Sequence, residues 1–156
     1  VRFTAQDIDE WHAERGFHRA PQFISADAPL MAIGYHYVID LRGQVTIGRL
    51  LSETGAHALH HNTESIGLCL IGTDQFSLLQ WHKLALMVNG LLRQFPDLTI
   101  KGHRDVSPDL NGDGRIEKNE WTKTCPGFDV YSWLSRGKVP LQAHIFNYSE
   151  NVNEPY

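Results

Sequence analysis

Two cation chemistries are written into one stretch of the chain, residues 102–128, which reads G-H-R-D-V-S-P-D-L-N-G-D-G-R-I-E-K-N-E-W-T-K-T-C-P-G-F. The outer pair is an imidazole and a thiol, His103 and Cys125, with Lys123 two positions before the thiol. Nitrogen and thiolate sulfur suit zinc, and a catalytic zinc keeps three protein ligands and one open position. Nested inside, Asp109 to Glu120 fits the calcium-loop pattern D-x-[DN]-x-[DN]-G-x5-E. There the hard oxygens of Asp109, Asn111, Asp113 and Glu120, with the carbonyl of Arg115, would serve Ca2+, and Gly114 would allow the sharp turn. Val106-Ser107-Pro108 cannot extend a helix into that loop, so it is expected to act alone as a staple and not as a paired sensor. The residues by themselves leave a plainer alternative open: a structural histidine, a buried thiol and an acidic surface loop.

Further segments set the stretch in a longer pattern. Trp11-His12-Ala-Glu-Arg-Gly16-Phe17, Gly34-Tyr35-His36-Tyr37-Val38-Ile39, Gly55-Ala-His57 and Ser65-Ile66-Gly67-Leu-Cys69-Leu-Ile-Gly72 precede G-H-R-D-x-S-P-D and T-K-T-C-P-G-F-D in order. Together, over about residues 4–134, they resemble the type 2 N-acetylmuramoyl-L-alanine amidases. That family shares its fold with the peptidoglycan recognition proteins, and the phage lysozyme-type endolysins are the nearest look-alikes.

The resemblance implies a zinc amidase that cuts the bond between the lactyl group of N-acetylmuramic acid and L-alanine in peptidoglycan. It assigns His103 and Cys125 as the second and third zinc ligands, and Lys123 and Tyr35 as catalytic groups. His57 falls on a cleft histidine that touches substrate, with Asn62 beside it. One element is missing. Family members carry the first zinc histidine on a strand ahead of the first helix, and the present sequence begins at Val1, just before that helix. The expectation is that the natural chain starts earlier. His36 is a substitute ligand only if the strand turns it towards the site, away from the face of Tyr35. His60 and His61 have no partner at ligand spacing and are read as groove or solvent positions, while His12, His18, His82 and His144 receive no role.

Other function classes remain in view. A metal-free muropeptide-binding module of the same fold is the main alternative. A dockerin-type calcium module would need a second loop. A cysteine hydrolase using Cys125 would need a helix N-terminus to lower the thiol pKa.

Composition narrows the field. At 156 residues, 42% hydrophobic and 21% charged, the chain suits one globular domain. A net charge of −4 gives no footprint for nucleic acid. No apolar run is long enough for a bilayer and no signal peptide is visible, so action on the cell wall would follow export or release from a host. Two cysteines are too few for a disulfide framework, and both are expected reduced, Cys69 as a small core residue. A monomer is the default.

The elements that must position these groups can be read in order. Thr4 and Asp7 suggest a capped helix that buries Ile8 and Trp11 and stops at Gly16. Residues 17–31 form a long loop, read either as a plain surface insertion or as a lid or binding loop that shapes substrate range. Strands are expected at 32–40 and 45–49, a buried strand at 65–71, a long helix over 77–95, a short strand at 98–101 delivering His103, and a last helix capped by Asp129. The sum is an α/β single domain, a central mixed β-sheet flanked by helices, spanning 1–137 without the N-terminal strand. Residues 138–156 are read as a surface-wrapped or frayed tail.

Overall fold

The computed structural model describes residues 2–147. Helix α1 (Ala5–Glu14) starts where the sequence says it should: the Thr4 hydroxyl accepts from the Asp7 amide at 3.4 Å, and the Asp7 carboxylate accepts from the Thr4 amide at 2.7 Å. It ends at Arg15, followed by Gly16 at φ +83°, a left-handed conformation that glycine adopts without strain. Its buried face is Ala5, Ile8, Asp9 and His12, the i, i+3, i+4, i+7 stripe. Trp11 lies off that stripe, is 41% exposed, and packs edge-on against Phe3. The expectation that it is a core residue therefore fails.

The sheet is small and mixed. Strand β1 (Tyr37–Ile39) is central, antiparallel to β2 (Val45–Ile47) and parallel to β3 (Leu68–Leu70). Tyr37 sits opposite both Ile47 and Leu68. Strand β4 (Phe76–Ser77) leads into helix α2 (Leu78–Gln94), whose Ser77 cap and Gln80 exchange bonds in a second capping box. The Gln80 amide also donates to the Ile71 carbonyl at 2.8 Å, tying the helix start to the end of β3. Helix α3 (Val130–Ser135) is capped by Asp129, which accepts from the Ser132 amide at 2.7 Å.

The sheet separates two apolar clusters. On one face Ile39, Phe76, Trp81, Leu84, Val88, Phe128, Val130 and Trp133 join α2 and α3 to it. On the other, Ala5, Ile8, Leu30, Ile33 and Val38 seat α1, with Tyr35, Cys69 and Ile71 against them. Apolar burial of this kind is worth about 25 cal/mol per Å2.

Two elements depart from expectation. Residues 98–101 form no strand, and among the described residues an open cleft separates them from β3. The loop over 17–31 contributes nothing to that cleft and is fastened to the α1 side. Asp9 accepts from the amides of Met31, Ala32 and Ile33, and buried Arg19 bonds the carboxylate of Glu53 and the carbonyls of Phe23, Ala28 and Leu30. The loop is thus a clamp on the α1 side and lines no part of the cleft. Past Lys138 the chain wraps back: β5 (Ile145–Phe146) pairs with β4, and the Trp81 indole donates to the His144 carbonyl at 3.0 Å. The remainder of the expected tail, 148–156, lies outside the described residues.

Candidate active site

A cleft of about 540 Å3 opens between β3 and residues 97–106. Its floor is apolar, from Leu84, Val88 and Leu91 of α2, and its chemical groups gather on the walls: Tyr35, His57, His61, Ser65 and His103.

His103 opens a short turn of 3-10 helix that begins after Gly102, whose amide is held by the Asp105 carboxylate at 2.7 Å. The Arg104 amide donates to the carbonyl of Cys125 at 2.9 Å, and the Thr122 amide donates to the Ser107 hydroxyl at 3.0 Å. These rungs draw together two arms 22 residues apart, leaving the Cys125 Sγ 3.2 Å from the His103 Nδ1. Arg104 braces the arrangement, its guanidinium 4.2 Å over the Trp121 ring and 3.3 Å from the Asp129 carboxylate.

Burial holds His103 below its usual pKa, and the nearby charges of Lys123 and His61 add to that effect, so the imidazole is neutral. Burial pushes the Cys125 thiol up, and a backbone hydrogen bond and the charge of Lys123 offset only part of that rise. A neutral imidazole and a thiol beside a cation are a donor pair suited to zinc, and two such ligands on one tetrahedral ion sit about 3.5 Å apart. Among the described residues no third His, Cys, Asp or Glu joins them within ligand reach. The pair supplies half of a tetrahedral site.

His36 is excluded as a substitute. Its Nδ1 accepts from the Gly67 amide at 3.1 Å and its Nε2 bonds the Glu53 carbonyl at 2.8 Å, so both ring nitrogens are committed in the interior. Its work is to hold Gly67 in place. That glycine matters because a Cβ there would lie 2.4 Å from the His57 ring, and one at Gly55 would lie 2.3 Å from it. His57 is wedged between two side-chain-free positions. Its Nε2 is 2.9 Å from the Ser65 hydroxyl, which itself donates to the His61 carbonyl, so the imidazole is the donor. Burial, reinforced by His36, pushes its pKa down to about 4. Asn62 does not line the cleft; its Oδ1 accepts from the amides of His57 and Ala58, each at 2.8 Å, and so sets the path of the histidine's backbone.

Tyr35 reaches the cleft from just before β1, and burial raises its pKa, so the phenol is a proton-bearing donor. Lys123 is exposed and close enough for its charge to act on both His103 and Cys125.

The oxygen-rich loop folds on itself. Asp109 accepts from the amides of Gly112 and Gly114, Asn111 from Asp113, and Asp113 from Arg115. Buried Glu120 reaches back to the amides of Leu110, Asn111 and Glu117. Gly112 and Gly114 have φ of +75° and +82°. As expected of a loop that acts alone, Ser107 before it is extended and only a turn of 3-10 helix, Lys118–Glu120, follows inside it.

The segments quoted for the resemblance contain Ser65, Gly55, Gly67 and His12, but motif reading gives them no role, because each acts through contacts across the fold.

The buried histidines make stability pH-dependent. His12, His36 and His57 all have folded pKa values below the unfolded value of about 6.5. The unfolded state therefore binds more protons in the window between, and their contribution, complete above about 6.5, is lost as pH falls towards the folded values. The melting temperature is expected to be level above about pH 7 and to drop between about 6.5 and 4. Thermal melts across that range test it, and a constant Tm would contradict neutral buried imidazoles.

Of the candidate groups, His103 and Tyr35 line the same cleft, and Cys125 stands behind His103 at 3.2 Å. Residues 4–128 match Amidase_2, N-acetylmuramoyl-L-alanine amidase, and the chain belongs to this family. It is 42% identical over 112 residues to an uncharacterized protein of Haemophilus influenzae, covering 67% of this chain and 97% of that one. It is also 27% identical over 142 residues to an endolysin of Enterobacteria phage K11, covering 86% and 76%. Among solved structures, N-acetylmuramoyl-L-alanine amidase LysC from Clostridium intestinale shares the fold at a TM-score of 0.62 and 22% identity, over 86% of this chain and 75% of that one.

Proposed function

We propose that this chain is a zinc-dependent N-acetylmuramoyl-L-alanine amidase acting on peptidoglycan at the cell wall. The observation that carries the reading is the His103–Cys125 pair, 3.2 Å apart with His103 on the wall of the cleft, in a member of this family. His103 Nδ1 and the Cys125 thiolate would hold the ion, which when bound supplies an activated water and polarises the carbonyl. Lys123 brings a fixed positive charge for the oxyanion that develops as the amide is attacked. Tyr35, a phenol that keeps its proton, donates a hydrogen bond within the cleft. His57 forms a neutral wall, and the leucine and valine floor takes the apolar parts of the lactyl–alanine unit. The oxygens of Asp109, Asn111, Asp113, Glu120 and the Arg115 carbonyl are a calcium site in the same proposal.

One observation favours a second reading: with only two zinc donors among the described residues, the chain as a non-catalytic muropeptide-binding module is the alternative.

Purified protein with zinc, incubated with cell walls, is expected to release stem peptides with free N-terminal L-alanine and no new reducing ends. Binding to the walls with no free alanine termini would select the binding module. Elemental analysis of the same sample reads zinc and calcium separately.

A further inference from the structure

We infer that His12, on α1 across the sheet from the cleft, is the positioning residue of Tyr35. The inference rests on the reading of Tyr35 as a catalytic donor.

The contacts run in a chain. His12 is 7% exposed, and its Nδ1 accepts from the Gly34 amide at 2.9 Å, so the proton of the neutral ring sits on Nε2. Gly34 is the residue before Tyr35. Its carbonyl accepts from the Ala56 amide at 2.9 Å, and a Cβ there would lie 2.1 Å from the Ala56 oxygen. The peptide on each side of Gly34 is thereby held by a separate partner. The Tyr35 carbonyl in turn accepts from the Arg49 amide at 2.9 Å. The rings repeat the arrangement: Tyr35 lies between His12, centroids 5.6 Å apart at 38°, and His57, 6.4 Å apart at 32°. Phe17 closes the outer side of His12 at 5.0 Å. Both the backbone that launches the phenol and one face of its ring therefore depend on a helix that lines no part of the cleft.

Protonation would undo this contact. A proton on Nδ1 would face the Gly34 N–H, setting donor against donor. The groups around His12 are Asp9 and Arg15 on its own helix, Arg49 from the segment after β2, and the rings of Phe17 and Tyr35. Burial, Arg15 and Arg49 favour the neutral ring, and Asp9 opposes them. Tyr35 should hold its working position while His12 is neutral and lose it on acidification.

Two substitutions separate positioning from mere packing. His12→Leu keeps the bulk and removes the acceptor. His12→Asn places Oδ1 near the former Nδ1 and cannot titrate. In metal-free protein, NMR should show the Gly34 amide proton shifting with the protonation midpoint of His12, and its hydrogen exchange accelerating in His12→Leu and recovering in His12→Asn. In the active protein, His12→Leu should lower kcat roughly 10- to 100-fold, as a misplaced group does, with KM and zinc content little changed. His12→Asn should restore most of kcat and remove the acid limb that His12 imposes. A Gly34 amide indifferent to His12, or a kcat in His12→Leu that falls only with the folded fraction, overturns the inference. If the Gly34 signals behave as expected but no amide is cleaved by any variant, the amidase reading fails while the His12–Gly34 coupling stands.

Discussion

Cys125→Ala should abolish amide hydrolysis and zinc binding together. Among the described residues the thiol and the His103 imidazole are the two metal donors brought face to face, Sγ 3.2 Å from Nδ1. Losing a single transition-state donor costs an enzyme about 10²–10³ in kcat. Losing a ligand removes the ion, the activated water and the polarised carbonyl at once, so the loss should exceed that range. Lys123→Ala is the informative comparison: it should keep zinc and lose about 10²–10³ in kcat, because it removes charge stabilisation alone. Cys69→Ala should keep zinc, since that thiol lies half-buried in β3, away from His103, with its pKa pushed up to about 12. Elemental analysis beside the alanine-release assay checks all three. Zinc retained at one per chain in Cys125→Ala would remove Cys125 from the site.

The second large effect falls on stability. Arg19→Met should destabilise the fold by about 3–5 kcal/mol, the range for breaking a buried ion pair from one side. Arg19 and Glu53 are both almost fully buried and meet at 2.8 Å, and the guanidinium also serves the carbonyls of Phe23, Ala28 and Leu30. Removing it leaves the Glu53 carboxylate with the Leu50 amide at 3.4 Å and Arg49 at 3.8 Å as residual partners, and frees three carbonyls. The double variant Arg19→Met with Glu53→Gln should recover part of the loss, because no uncompensated charge remains. Urea unfolding measures the cycle. A single-variant loss below about 1 kcal/mol would place the pair among weak surface bridges instead.

Much of the frame was legible because its signals are local. Thr4 with Asp7 announces the first helix through a reciprocal cap, and the apolar spacing from Trp81 to Val88 marks the buried face of α2. The approach of His103 to Cys125 was legible only through family resemblance, since nothing in their spacing closes the loop between them. Residues 98–101 misled because apolar content reports burial, while pairing needs a neighbour that no local pattern supplies. His36 and His12 were opaque for a related reason: the groups that employ their nitrogens, Gly67 with Glu53 and Gly34, lie tens of residues away or across the sheet.

The self-closed segment over 109–120 has a consequence for inheritance. Its polar side chains are occupied by its own backbone, and its two arms are pinned by the bonds between Arg104 and Cys125 and between Ser107 and Thr122. Changing the length of a loop between fixed ends costs only about 0.6 kcal/mol per doubling. Descendants can therefore lengthen, trim or exchange this appendix while the imidazole and thiol at its base keep their separation. It is a place where the lineage can acquire a new surface with little risk to its chemistry.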